Sequence, residues 1–134
     1  MSDPPKLPVR CADVPWQSFE KDGVVVSRWR ALSDASEGPV YKVGFVLEEL
    51  FPGQTSAPAH WHTREEEHVF ILSGELTVRL GSDRVVMRSG DYVRFPAGVP
   101  VEHNLFNHSD EVCRYILVGE RDRDDVAVSY THLR

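Results

Sequence analysis

Turn-forming residues punctuate this chain at intervals of roughly 8–12 residues, and the segments between them are short and rich in apolar and β-branched side chains. The turn signals are Gly38-Pro39, Pro52-Gly53, Ser73-Gly74, Gly81-Ser82-Asp83, Ser89-Gly90, Pro96-Ala97-Gly98 and Asn107-His108-Ser109-Asp110. Between them the sequence predicts strands over residues 23–30, 40–50, 58–62, 67–72, 75–80, 84–88, 91–95, 101–106 and 112–118, with a weaker one over 126–130. A short irregular or helical piece is expected over residues 14–19. No segment sustains a helical period of apolar residues. Short strands at this spacing imply an all-β fold, a sandwich or barrel of antiparallel sheet.

Strand faces follow from alternation. In Glu75-Leu76-Thr77-Val78-Arg79-Leu80 the leucines and the valine fall on one side, so Leu76, Val78 and Leu80 should face the core. Val69-Phe70-Ile71-Leu72 is apolar throughout, the pattern of a strand covered on both faces. Its outer cover would be either a second copy of the chain, giving a homodimer, or the chain's own N-terminal strand. Phe45, Val69, Ile71, Leu76, Val78, Val93, Phe95 and Leu117 are the expected core.

At 134 residues the chain fits a single domain over 10–134, preceded by a mobile, proline-rich tail over 1–9. Cys11 and Cys113 form no CxxC pair and suggest no disulfide framework, which fits a reducing cytoplasm. No stretch has the length or apolarity of a signal peptide or a membrane span. The net charge is −6, lysines and arginines are scattered, and the densest charged stretch, residues 120–125, mixes both signs. Phosphate backbones require clustered positive charge, so neither nucleic acid nor a membrane is an expected partner.

His60 and His62 stand two apart in a predicted strand, so their side chains share a face. Glu67 follows five residues later, and His103 lies downstream. Three imidazoles and a carboxylate are a suitable donor set for a divalent first-row metal. Glu65 and Glu66 are rivals to Glu67 that read more simply as a solvated acidic turn. His68, next to Glu67, faces the opposite side of the strand. His108 and His132 are expected at the surface. Tyr41, Trp61, Tyr92, Arg79 and Arg94 are candidates to line or rim a pocket, with packing or exposure the default for each.

Gly53, His60-Trp61-His62, Glu67 and Gly74 together resemble the first motif of the cupin superfamily. Gly90, Pro96-Ala97-Gly98, His103 and Asn107 resemble its second. The resemblance spans residues from about 50 to 107, and it is similar in kind to small one-domain bacterial cupins likened to sugar isomerases. It implies a double-stranded β-helix, or jelly-roll barrel, holding one divalent transition metal ion (Fe, Mn, Ni or Zn). Carried over position by position, the ligands would be His60, His62, Glu67 and His103, and the interval to Gly74 singles out Glu67 among the three glutamates. The interval from Gly53 to His60 is one residue longer than the family's common form. That from Gly98 to His103 is longer by a dipeptide, which should bulge the loop at Val99-Pro100.

A metal with an open coordination position acts as a Lewis acid on an enol, carbonyl or hydroxyl. The expected function is therefore a metal-dependent enzyme on a small molecule: a dioxygenase, or an isomerase or epimerase acting on a sugar or keto-acid-like substrate. The alternative is a non-catalytic module that binds a metal or small ligand as a sensor.

Overall fold

The computed structural model describes residues 7–37 and 41–129. Residues 1–6 of the expected tail, the Gly38-Pro39 turn, Tyr130 and His132 lie outside the described residues. A single 3-10 turn, Cys11–Asp13, leads into β1 (Gln17–Lys21), β2 (Val24–Ala31), α1 (Leu32–Glu37) and β3 (Val43–Leu50). Then follow β4 (His60–His62), β5 (Glu67–Ser73), β6 (Glu75–Leu80), β7 (Asp83–Arg88), β8 (Tyr92–Phe95), β9 (His103–Phe106), β10 (Cys113–Glu120) and β11 (Ala127–Ser129).

Two antiparallel sheets face each other, one in the order β1-β2-β3-β10-β5-β8 and the other β11-β4-β9-β6-β7. This is the jelly-roll arrangement that the sequence implies. Apolar side chains from the facing sides of the sheets make the core: Leu50, Val69, Ile71, Leu76, Cys113 and Tyr115 are fully buried, and Leu80, Val93 and Leu117 pack against them. Gly74 makes the sharp β5–β6 turn possible. It sits at φ +80°, and a Cβ there would lie 2.8 Å from the Val112 carbonyl oxygen.

Three expectations need correction. Residues 17–21 form an edge strand rather than an irregular or helical piece; every side chain in it is exposed, so no apolar alternation marks it. The short helix α1 is polar and was not anticipated. Phe45 does not belong to the core: it is 40% exposed. The β3 register pairs Val46 with Leu117 and Glu48 with Tyr115, so the even-numbered residues face the barrel interior and Phe45 points to the opposite face, where Leu47 and Glu49 are covered and Phe45 is not. The apolar run 43–47 carries no alternation from which that choice could be read.

In β5, Val69 and Ile71 point inward while Phe70 and Leu72 are 42% and 37% exposed. The N-terminal strands extend the sheet sideways, beyond β3, and do not lie over this face. No helix among the described residues is long and apolar enough to cross a membrane.

Candidate metal centre

His60 and His62 occupy the two ends of β4, and His60 pairs directly with His103 at the start of β9. All three imidazoles thus come from the five-stranded sheet. Glu67 opens β5 in the opposite sheet and reaches across the interior. The four sequence-derived candidates converge: one donor atom from each lies within 4.8 Å of the others. Glu67 Oε1 is 3.2 Å from both His62 Nε2 and His103 Nε2. The His60 ring centroid stands 4.9 Å from that of His62 and 4.7 Å from that of His103.

The longer loop before His103 leaves its position intact. Gly98 N–H donates to the His62 carbonyl at 2.8 Å, Val101 N–H closes a tight turn on the Val99 carbonyl at 2.7 Å, and Gly81 N–H holds the Glu102 carbonyl at 2.8 Å. The extra residues are absorbed before β9 begins, so the pairing of His60 with His103 is not displaced. Phe95 stacks flat on the His103 ring at 3.8 Å and fixes its plane.

Two of the histidines have their outward nitrogen tied down. His60 Nδ1–H donates to the Pro58 carbonyl at 2.8 Å, and His62 Nδ1–H donates to Asp125 Oδ2 at 2.7 Å. Both therefore present Nε2 inward, the geometry by which an outer hydrogen bond fixes the tautomer and aim of a metal-binding histidine. Asp125 is itself held by the Arg64 and Glu65 backbone N–H groups at 2.8 and 3.0 Å. Sequence reasoning placed Asp125 in a solvated charged stretch and missed this role, because 63 residues separate it from His62.

The electrostatics suit a cation. Burial pushes the Glu67 carboxyl upward, but hydrogen bonds from His103 and His62 outweigh it and hold it down at about 2. The His62 imidazole is raised to about 9, chiefly by its bond to Glu67 and then by Asp125, against the effect of burial. Burial lowers His60 and favours its neutral, donating form. An ionised carboxylate, a neutral imidazole and an imidazole whose proton a metal ion would displace fit a divalent ion bound by nitrogen and oxygen.

The rivals lie outside the group of four donors. Glu66 pairs with Arg94 at 2.8 Å and with His68 at 2.9 Å, and His68 also meets the Tyr92 hydroxyl at 2.6 Å. Glu65 accepts from the Asp122 backbone N–H at 2.9 Å and stands 4.0 Å from His62 Nδ1, on the Asp125 side of that ring. His108 bridges Thr77 and Glu75 on the surface.

A cavity of about 180 Å³ opens beside His60, Glu67 and His103, walled by Val69, Phe95, Leu105 and Leu117. Glu48 also lines it, and sequence reasoning did not single this residue out. Tyr115, fully buried, donates its hydroxyl hydrogen bond to Glu48. Burial raises the Glu48 carboxyl above its usual range; the Tyr115 bond opposes this and the Glu67 charge adds to it. A carboxyl so placed can take up and return a proton within reach of a ligand in the cavity.

A two-sheet antiparallel barrel with three inward imidazoles on one sheet and a carboxylate on the other defines a protein built around a small interior polar site. Residues 46–119 match the cupin domain family, and the chain belongs to it. A stretch of 62 residues is 32% identical to quercetin 2,3-dioxygenase of Bacillus subtilis, covering 46% of this chain and 18% of that enzyme's length. A crystal structure described as a sugar phosphate isomerase of the cupin superfamily, from Silicibacter pomeroyi, superposes with a TM-score of 0.72 at 30% identity. That match covers 78% of this chain and 65% of the other. The polyketide cyclase RemF of Streptomyces resistomycificus shares the fold, with a TM-score of 0.74 at 20% identity over 90% of this chain and 82% of its own.

Proposed function

We propose that this cupin is a metal-dependent enzyme that moves a proton on a small oxygenated molecule, as an isomerase or epimerase of a sugar or keto-acid-like substrate does. His60, His62, Glu67 and His103 hold one divalent transition ion (Fe, Mn, Ni or Zn). Such an ion supplies Lewis acidity toward a substrate carbonyl or hydroxyl oxygen. The observation that carries the reading is Glu48, an acid–base group lining the same cavity as His60, Glu67 and His103 and oriented by Tyr115. Proton transfer at a carbon beside a carbonyl needs such a group, and its raised pKa brings it toward the working pH of a general acid or base. The likeness to the Silicibacter protein supports the same chemistry.

The test is deuterium exchange from heavy water into aldoses, ketoses and 2-keto acids, followed by proton NMR with metal-loaded protein. Exchange that Glu48→Gln abolishes while metal content is unchanged is the expected result. Metal-dependent oxygen uptake without exchange would favour the second reading, a dioxygenase. That reading draws support from the apolar wall of Val69, Phe95, Leu105 and Leu117 and from the stretch similar to quercetin dioxygenase. Ligand binding with neither reaction would make the protein a sensor.

A homodimer is part of the proposal. Phe70 and Tyr92 pair across β5 and β8 and are 42% and 56% exposed on the outer face of the six-stranded sheet, where a second copy would cover them. A cytoplasmic location is proposed from Cys11 and Cys113, neither of which forms a disulfide.

A further inference from the structure

The inner face of the six-stranded sheet does not end at the core. A cross-strand row runs Gln17–Trp29–Glu48–Tyr115–Ile71 through β1, β2, β3, β10 and β5. Ile71 and Tyr115 lie within the barrel. Trp29 and Gln17 lie on the wing that the N-terminal strands add to the sheet, joined by a 3.1 Å bond from Trp29 Nε1–H to the Gln17 side-chain oxygen. Over this wing lies a recess of about 370 Å³, lined by Trp29, Tyr41, Val46 and Arg121 among others. Glu48 and Leu117 line both the recess and the inner cavity, so the two spaces share a wall.

Among the described residues Arg121 is the only cation lining the recess. Its backbone is pinned by a 2.8 Å bond from its N–H to the Lys42 carbonyl, and its guanidinium sits over the Tyr41 ring at 4.8 Å. Arg121 forms no ion pair with any described carboxylate; its side chain is exposed and meets Tyr41. Among the described residues the acidic groups lining the recess are Glu48 and Asp34, and Asp34 accepts the Tyr41 hydroxyl. A guanidinium held against an aromatic ring, with donors left over, is suited to a planar or tetrahedral oxyanion.

We infer that this recess is a subsite for an anionic group, a carboxylate or a phosphate, carried on the same substrate and bound by Arg121. The inference rests on the inner cavity being the reaction site. It restricts the substrate to molecules that have an oxygen for the metal at one end and an oxyanion at the other, with the reacting carbon near Glu48 between them. Neutral sugars would lack the second anchor.

The experiment is a titration of metal-loaded protein with inorganic phosphate and, separately, with malonate, following the indole N–H resonance of Trp29 assigned with Trp29→Phe. The expected result is a saturable shift that Arg121→Gln weakens by about tenfold and Arg121→Lys partly restores, with metal content unchanged in both variants. A response to phosphate alone assigns the phosphate class, and a response to malonate alone assigns the carboxylate class. Repeating the titration on His60→Ala separates the two readings: anion binding that survives loss of the metal belongs to the recess. No shift with either probe, or an equal shift in Arg121→Gln, overturns the subsite while leaving the metal centre untouched.

Discussion

Asp125 Oδ2 accepts the Nδ1–H of His62 at 2.7 Å, so that the opposite nitrogen of the ring stands 3.2 Å from Glu67. The carboxylate lies on the approach to β11 and the histidine on β4, strands paired at the edge of the five-stranded sheet. The end of the barrel therefore helps to build the centre.

Replacing Asp125 by Asn keeps the side chain's shape but removes the charge that aims His62. Outer hydrogen bonds of this kind are worth about 10–100-fold in metal affinity. Competition against a chelator should show a loss in that range with the fold preserved; unchanged affinity would mean that His62 is positioned by other means.

The metal-free protein should show a distinctive pH dependence of stability. His62 is raised from 6.5 to about 9, so its contribution is full below pH 6.5 and disappears as pH climbs through 9. Glu67 is lowered from 4.5 to about 2, so its contribution is present above pH 4.5 and is lost as pH falls through 2. Urea denaturation of metal-free protein should therefore show stability declining between pH 6.5 and 9, and His62→Gln should flatten that limb. An equal slope in the variant would refute the assignment.

Tyr115→Phe removes the hydrogen bond that opposes the rise of the Glu48 pKa. If Glu48 is the proton-transfer group, the limb of the pH–rate profile that reports it should move to higher pH in this variant. The lost bond should also cost about 1–3 kcal/mol of stability, since a buried acceptor is left with fewer donors. A stability loss without any movement of the profile would make Tyr115 merely structural.

Gly74→Ala forces a side chain into a left-handed position and against the Val112 carbonyl. A cost of about 2 kcal/mol is expected, measurable as a lower denaturation midpoint, and a neutral outcome would mean that the β5–β6 turn relaxes freely.

The four candidate ligands were legible: His60 and His62 because a two-residue repeat of histidine makes a shared strand face, Glu67 over Glu65 and Glu66 because its interval to Gly74 matches the cupin motif, and His103 because its interval to Asn107 does. The partners that aim and complement them were not. Asp125 sits among mixed charges far along the chain, and Glu48 hides inside an apolar run next to another glutamate, where only the register of β3 against β10 decides which one faces inward. The order of the sheets is likewise written in long-range pairing, not in any segment's composition. The edge strand β1 and the helix α1 bury too little to leave a pattern.

Phe70 gives the oligomer a direct test. Sedimentation should show dimers for the native chain and monomers for Phe70→Glu, with the fold unchanged because the side chain lies outside the core. A native chain that stays monomeric at high concentration would contradict the proposal.

The central claim, that three imidazoles and one carboxylate grip a single ion, is tested most directly by elemental analysis of protein equilibrated with iron, manganese, nickel and zinc. The account predicts close to one ion per chain in the native protein and an empty site in both His60→Ala and His62→Ala. A native protein without metal, or variants that retain full occupancy, would contradict it.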